Sequence, residues 1–267
     1  MQDFITLEIA DGIAIMTLNE PERRNLLGRD SQYEAIETAC RRLTRDKSVR
    51  VAIVTGAGPA FCAGGDIKQM SIRAEDPSIE ALEERYAYKE GIHRIPLALH
   101  QLEIPIIAAV NGPAIGAGLD LACMCDIRIA ADTAVFAESF VRLGIIPGDG
   151  GAWLLQRIVG FQKATEMTFT GEPISAGEAL VAGLVLRVVP PTELLREAMA
   201  LARRIAANPV HVLRMAKRLM RESQTARLDT ILEMSAAFQA LAHRARDHRE
   251  RVGAAVARLS QPKGAQE

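Results

Sequence analysis

Apolar and polar residues alternate from Phe4 to Ile9 and from Gly12 to Leu18 around Asp11-Gly12, a pattern that predicts a β-hairpin. Ile36, Ala39, Cys40 and Leu43 then recur at helical spacing, giving a helix capped by Asp30 or Ser31 and running to about Thr44. Val49–Thr55 and Pro105–Val110 are short, almost purely apolar runs, the mark of strands buried on both faces. Between them the periodicity predicts one long helix from Ser78 to Leu102, kinked at Pro96. A helix from Gly116 to Met124, strands at Ile127–Ala131 and Ala134–Ala137, a helix from Gly150 to Val159 and a strand at Val185–Val189 follow. Beyond Pro190-Pro191 the pattern is helical throughout, over 193–207, 210–222 and 225–248. The expected organisation is an α/β core over 1–191 and a helical region over 192–267.

Two of the buried strands empty into glycine-rich loops, Gly56-Ala-Gly-Pro-Ala-Phe-Cys-Ala-Gly-Gly-Asp66 and Asn111-Gly-Pro-Ala-Ile-Gly-Ala-Gly-Leu-Asp120. Glycine permits positive φ and close approach to a ligand, so such loops can present bare N–H groups. Two N–H groups converging on one oxygen stabilise an oxyanion. Phosphate-cradle readings fail on spacing, because Gly116-Ala-Gly118 continues as Leu-Asp-Leu and no G-x-x-x-x-G-K-[ST] string occurs. No serine sits in a G-x-S-x-G elbow, and the five histidines show no paired ligand spacing, so no metal is expected.

Ala117 falls where a loop becomes a helix, with its N–H in the unpaired first turn at the positive end of the helix dipole. Asp120, three residues on, lies on the same helical face. A carboxylate beside an oxyanion hole suits proton transfer at the carbon next to a carbonyl. A first-turn aspartate that merely balances the dipole fits the same position.

Composition narrows the class. At 267 residues the chain can bury a full core, and its net charge is −1. The charge is uneven, since from Leu195 to Glu267 fourteen Lys and Arg stand against seven Asp and Glu. A basic region can serve nucleic acid, but only eleven aromatic residues leave little stacking surface, so RNA binding ranks last among the functions considered. No eighteen-residue apolar stretch and no basic-then-apolar leader occur, and Cys40, Cys62, Cys123 and Cys125 lack C-x-x-C spacing. These features predict a cytoplasmic protein with reduced thiols and no membrane segment.

Five strings in order carry a resemblance: Leu18-Asn-Glu-Pro21, Phe61-Cys-Ala-Gly-Gly-Asp-Ile-Lys68, Ala109-Val-Asn-Gly-Pro-Ala-Ile-Gly-Ala-Gly-Leu-Asp-Leu-Ala122, Cys125-Asp-Ile-Arg-Ile-Ala-Ala131 and Leu143-Gly-Ile-Ile-Pro-Gly-Asp-Gly-Gly151. Over about residues 4 to 250 the chain resembles the crotonase (enoyl-CoA hydratase/isomerase) superfamily. The resemblance implies a spiral of ββα units with a helical C-terminal region that packs trimers, often paired into hexamers. It also implies an acyl-CoA substrate and no further cofactor, with a thioester enolate held by the N–H groups of Gly65 and Ala117.

Of the two glutamates that hydratases of this family use, the first falls on Asp120 and the second on Phe140. Glu138 and Asp149 are the nearby carboxylates that could complete a pair, although Asp149 also suits a helix N-cap. Coenzyme A binding falls on Arg23 and Arg24 near the phosphates and on Ala63, Asp66, Ile67 and Lys68 around the pantetheine and adenine. Trp153, Met70 and Phe140 are candidates for the acyl pocket. The leading expectation is a hydratase or isomerase, with a hydrolase or decarboxylase using the same hole as the alternative.

Overall fold

The structure, a computed structural model, describes residues 3–260, and these fall into two compact units divided between Ala207 and Asn208. In the first unit the hairpin strands are β1 (Ile5–Ala10) and β2 (Ile13–Leu18), followed by α1 (Asp30–Arg45) and β3 (Val51–Gly56). Next come α2 (Ile67–Glu75), α3 (Ala81–Glu90), α4 (Arg94–Gln101), β4 (Ile106–Val110), β5 (Ala114–Ile115) and α5 (Ala117–Met124). Then follow β6 (Ile127–Ala131), β7 (Val135–Ala137), α6 (Gly151–Val159), α7 (Phe161–Thr170), β8 (Ile174–Ser175), α8 (Ala176–Val181), β9 (Arg187–Val189) and α9 (Leu194–Ala206). The second unit holds α10 (Val210–Glu222), α11 (Leu228–Arg244) and α12 (Arg246–Leu259).

The main sheet has the order β1-β2-β3-β4-β6-β9, antiparallel at β1/β2 and parallel elsewhere. A three-stranded sheet, β5-β7-β8, takes its β5 from within the second glycine loop. Side chains of a strand alternate between faces, and here both faces are covered. Met16, Val54, Ala108 and Ala130 belong to the larger apolar core, which also takes Ile36 and Leu43 of α1 and Leu99 of α4. Ile13, Ile53, Ile107 and Ile129 form a second core with Leu194, Ala198, Ala202 and Ala206 of α9. The four-residue spacing puts three alanines on one stripe of α9, which lets the helix lie close to the strands.

That packing carries the first unit past Pro190-Pro191 to Ala207, beyond the boundary expected at 191. Arg50 Nη1 fixes the end of α9 by donating to Ala206 O at 2.8 Å.

Three other expectations change. The helix expected over 78–102 is two helices, and the break falls at Gly91–His93 rather than at Pro96. Pro96 sits in the first turn of α4, where its missing N–H costs no helical hydrogen bond. The helix expected over 225–248 ends α11 at Arg244, and Ala245 turns extended before α12. Helix α1 begins at Asp30 itself, with neither Asp30 nor Ser31 as its cap. Gln32 takes that task by reaching back to accept from Gly28 N and Arg29 N at 3.0 and 3.1 Å.

Candidate active site

The two glycine loops run side by side. Cys62 N donates to Pro113 O and Ile115 N donates to Cys62 O, each at 3.1 Å, a short parallel bridge between them. Close approach is enforced by glycine: Gly64 has φ +95°, and a β-carbon there would lie 2.5 Å from Ile115 O. The first loop is also bridged to Leu27, whose N–H donates to Gly64 O at 2.9 Å and whose carbonyl accepts from Asp66 N at 3.0 Å. This pairing leaves the Gly65 N–H free of an acceptor among the described residues. Ala117 opens α5 after Gly116 (φ +51°), and its N–H is likewise a first-turn donor without a helical partner. Gly65 and Ala117 both line one cavity of about 830 Å³, a size suited to a small-molecule site.

Three carboxyl groups gather at the start of α6. Asp149 lines the cavity with Gly65 and Ala117 and is 6% exposed. Burial pushes its carboxyl up to about 6, against the opposing pull of His93. Asp120 and Glu138 are fully buried and do not line the cavity. Asp120 Oδ2 accepts from Gly151 N at 3.0 Å, so it caps α6 across the fold. A β-carbon on Gly151 would collide with both Asp120 Oδ1 and Glu138 Oε1, which places the two carboxyls together over that glycine. No N–H reaches Asp120 Oδ1 or either Glu138 oxygen, and the two carboxyls are placed to share a side-chain hydrogen bond. Burial first, and for Asp120 then the charge of Glu138, drives both carboxyls well above the ordinary range. Such a pair is stable only when it keeps a proton at neutral pH.

The remaining residues singled out from sequence divide into two groups. Ile67, Met70 and Phe140 line the cavity beside Gly65 and Asp66. Asp66 is chiefly occupied elsewhere, capping α2 by accepting from Lys68 N and Gln69 N and pairing with the Arg23 guanidinium. Arg24 and Lys68 are exposed, Ala63 is half-buried, and none of the three lines the cavity. Trp153 lies outside the lining too, under the Arg157 guanidinium and against the His100 ring.

Sequence reasoning missed Tyr33, Tyr88 and His93. Tyr33 of α1 and Tyr88 of α3 line the cavity, and His93 Nε2 donates to Gly148 O at 2.9 Å, holding the backbone just before Asp149. The available signal was scarcity: the chain has three tyrosines, and two of them face this one cavity. Among the described residues no group of three His, Cys, Asp or Glu side chains is placed to hold a metal ion.

A parallel sheet continued by two interlocked glycine loops, with buried carboxyls behind them, defines a crotonase-type fold. A model of the family described as enoyl-CoA hydratase/isomerase matches residues 8–256. The chain is 36% identical over 260 residues to the 1,2-epoxyphenylacetyl-CoA isomerase of Escherichia coli, covering 97% of this chain and 98% of that protein. It is 37% identical over 231 residues to the short-chain-enoyl-CoA hydratase of Clostridium acetobutylicum, covering 85% of each. The crystal structure of an enoyl-CoA hydratase from Bacillus anthracis superposes with a TM-score of 0.87 at 33% identity, covering 96% of both chains. The chain belongs to the enoyl-CoA hydratase/isomerase family. It is an acyl-CoA-processing enzyme of the hydratase or isomerase kind.

Proposed function

We propose that the enzyme isomerises an enoyl-CoA thioester through an enolate, with Asp149 moving the proton. The observation that carries this reading is position. Two buried carboxyls reach the cavity shared by Gly65 and Ala117, and of these Asp66 is spent on Arg23 and on capping α2, which leaves Asp149, while Asp120 and Glu138 stay behind it. The Gly65 and Ala117 N–H groups receive the thioester oxygen. Loss of one such donor typically costs about 2.7–4 kcal/mol of barrier.

With a 3-enoyl thioester, ionised Asp149 takes a proton from C2 and the electron pair moves onto the thioester oxygen. The same carboxyl returns that proton at C4, leaving the double bond between C2 and C3. A group titrating near 6 is ionised at neutral pH and still acidic enough to give the proton back. Phe140, apolar and against the cavity, stands where a hydratase of the family has its second glutamate. One buried carboxyl not already held by a cation suffices for a proton shuttle, and water activation by a pair does not fit this wall. The isomerase named among the relatives supports the same choice.

Of the three cations matched to coenzyme A, Arg23 is held by Asp66, which leaves Arg24 and Lys68, both exposed, for its phosphates. Ala63, Asp66 and Ile67 border the pantetheine path. No cofactor beyond the substrate's own coenzyme A is required. A homotrimer or a dimer of trimers is the assembly that accords with the family, and the cytoplasm is its compartment. Among the described residues no helix is long and apolar enough to cross a membrane.

The test is incubation with a 3-enoyl-CoA and with crotonyl-CoA in deuterated water. The expected result is a gain of conjugated absorbance from the first, with deuterium entering the product, and little hydration of the second. Hydration outpacing isomerisation would overturn the reading, as would an Asp149→Asn variant that keeps the wild-type rate.

A further inference from the structure

One wall of the cavity is not used by the proton transfer. Tyr33 and Tyr88 stand there, and their rings are fixed while their hydroxyls are not. A β-carbon on Gly91 would lie 3.3 Å from Tyr33 Cε2, and one on Gly148 would lie 2.9 Å from Tyr88 Cε1. The Tyr88 ring also packs edge-on to His93, with centroids 5.9 Å apart at 64°. Among the described residues neither phenol hydroxyl has a hydrogen-bond partner. Burial is the main cause that raises both phenols, Tyr33 to about 12, and the charge of Asp149 adds to each. Both hydroxyls therefore lie within reach of Asp149's field and stay protonated, as donors, at neutral pH.

Much of the rest of the wall is apolar, with Leu27, Ile79, Ala87, Ile92 and Ile145. A plain hydrocarbon chain filling this cavity would displace water from two phenol donors and offer them nothing in return. Leaving buried donors unpaired is what makes a polar site reject an apolar analogue. An acyl chain carrying an oxygen at the right carbon would accept from them instead.

We propose that Tyr33 and Tyr88 form a donor pair for an acceptor oxygen borne by the acyl chain beyond the thioester carbonyl, so that the preferred substrates are oxygen-substituted acyl-CoA thioesters. The inference rests on the acyl-CoA reading above and adds the substrate class to it.

Binding of saturated thioesters tests it without turnover. The probes are γ-methoxyhexanoyl-CoA and δ-methoxyhexanoyl-CoA, each paired with the carbon isostere in which a methylene replaces the ether oxygen. Isothermal titration should show at least one ether binding about five- to tenfold more tightly than its isostere, as a gained hydrogen bond predicts. In the Tyr33→Phe/Tyr88→Phe double variant that ratio should fall to about one. A melting curve and circular dichroism check that the variant is folded. Equal or weaker binding of both ethers to the wild type overturns the donor pair alone, and so does a preference that survives in the double variant. Failure of all four thioesters to bind overturns the acyl-CoA reading and the donor pair with it.

Discussion

Asp149 and the Asp120–Glu138 pair meet at the first turn of α6 and are made of the same chemistry, yet the fold places them differently. Asp149 sits at the cavity wall, where burial raises its carboxyl to about 6 and solvent can still exchange its proton. The pair lies behind it outside the cavity lining, one oxygen spent on Gly151 N and the two carboxyls facing each other across a shared proton. The contrast separates two uses of a buried acid. One is kept titratable at working pH, and the other is kept protonated and fastens the backbone that carries the first.

The largest expected effect separates them by rate. Asp149→Asn should lower kcat by about a hundred- to ten-thousandfold, the range for losing a positioned general base. Glu138→Gln should lower it by less than about tenfold, because a group outside the cavity cannot carry the proton. The wild-type kcat/KM should rise with pH through an apparent value near 6 and then level off. Stopped-flow or steady-state rates on a 3-enoyl-CoA read all three. A Glu138→Gln loss as deep as that of Asp149→Asn would erase the division.

Stability should move the opposite way. An aspartate titrates near 4 in an unfolded chain, and Asp149 titrates near 6 in the folded one. Between those values the native state holds a proton that the unfolded state has lost, so this group's contribution falls as pH rises. The window is about pH 4 to 6, and the loss amounts to about 2–3 kcal/mol, complete above it. Asp149→Asn should therefore be more stable than wild type at pH 8 and closer to it at pH 4, by denaturant titration at each pH. Glu138→Gln should also stabilise at pH 8, since its amide can donate to the facing Asp120 carboxyl without having to hold a proton there.

Gly151→Ala tests the fastening itself. The added methyl would enter the space held by Asp120 Oδ1 and Glu138 Oε1, at a cost of about 1–3 kcal/mol for overpacking a full site. Thermal unfolding should register it. Activity should fall further than stability alone explains, because Asp149 is two residues away on the displaced turn.

The strands and the two glycine loops were legible because their signals are local. Val51–Gly56 and Ile106–Val110 are apolar runs, and the loop glycines sit where backbones must touch. Position matching also gave Gly65, Ala117 and Phe140, and proximity gave Asp149; the fold gathers these four around one cavity. What escaped was set by tertiary packing. Pro96 looked like a kink only because Gly91–His93 was not read as a helix break. Asp120, on the same helical face as Ala117, turned out to reach Gly151 on a distant element instead of the cavity. Tyr33 and Tyr88 are more than fifty residues apart, and no spacing rule joins α1 to α3.

Trp153 supplies the smallest expected effect and the sharpest boundary for the site. The sequence offers it, with Met70 and Phe140, as a candidate for the acyl pocket. In the fold the Arg157 guanidinium lies 4.0 Å above its ring and His100 packs edge-on at 5.8 Å, and none of the three lines the cavity. Trp153→Phe should weaken that stack by about 0.5–1 kcal/mol, visible as a small drop in unfolding midpoint. It should leave kcat/KM within about twofold, since no reacting atom depends on it. A fall of tenfold with stability unchanged would move the pocket wall to α6 and weaken the contrast between the start of that helix and its next turn.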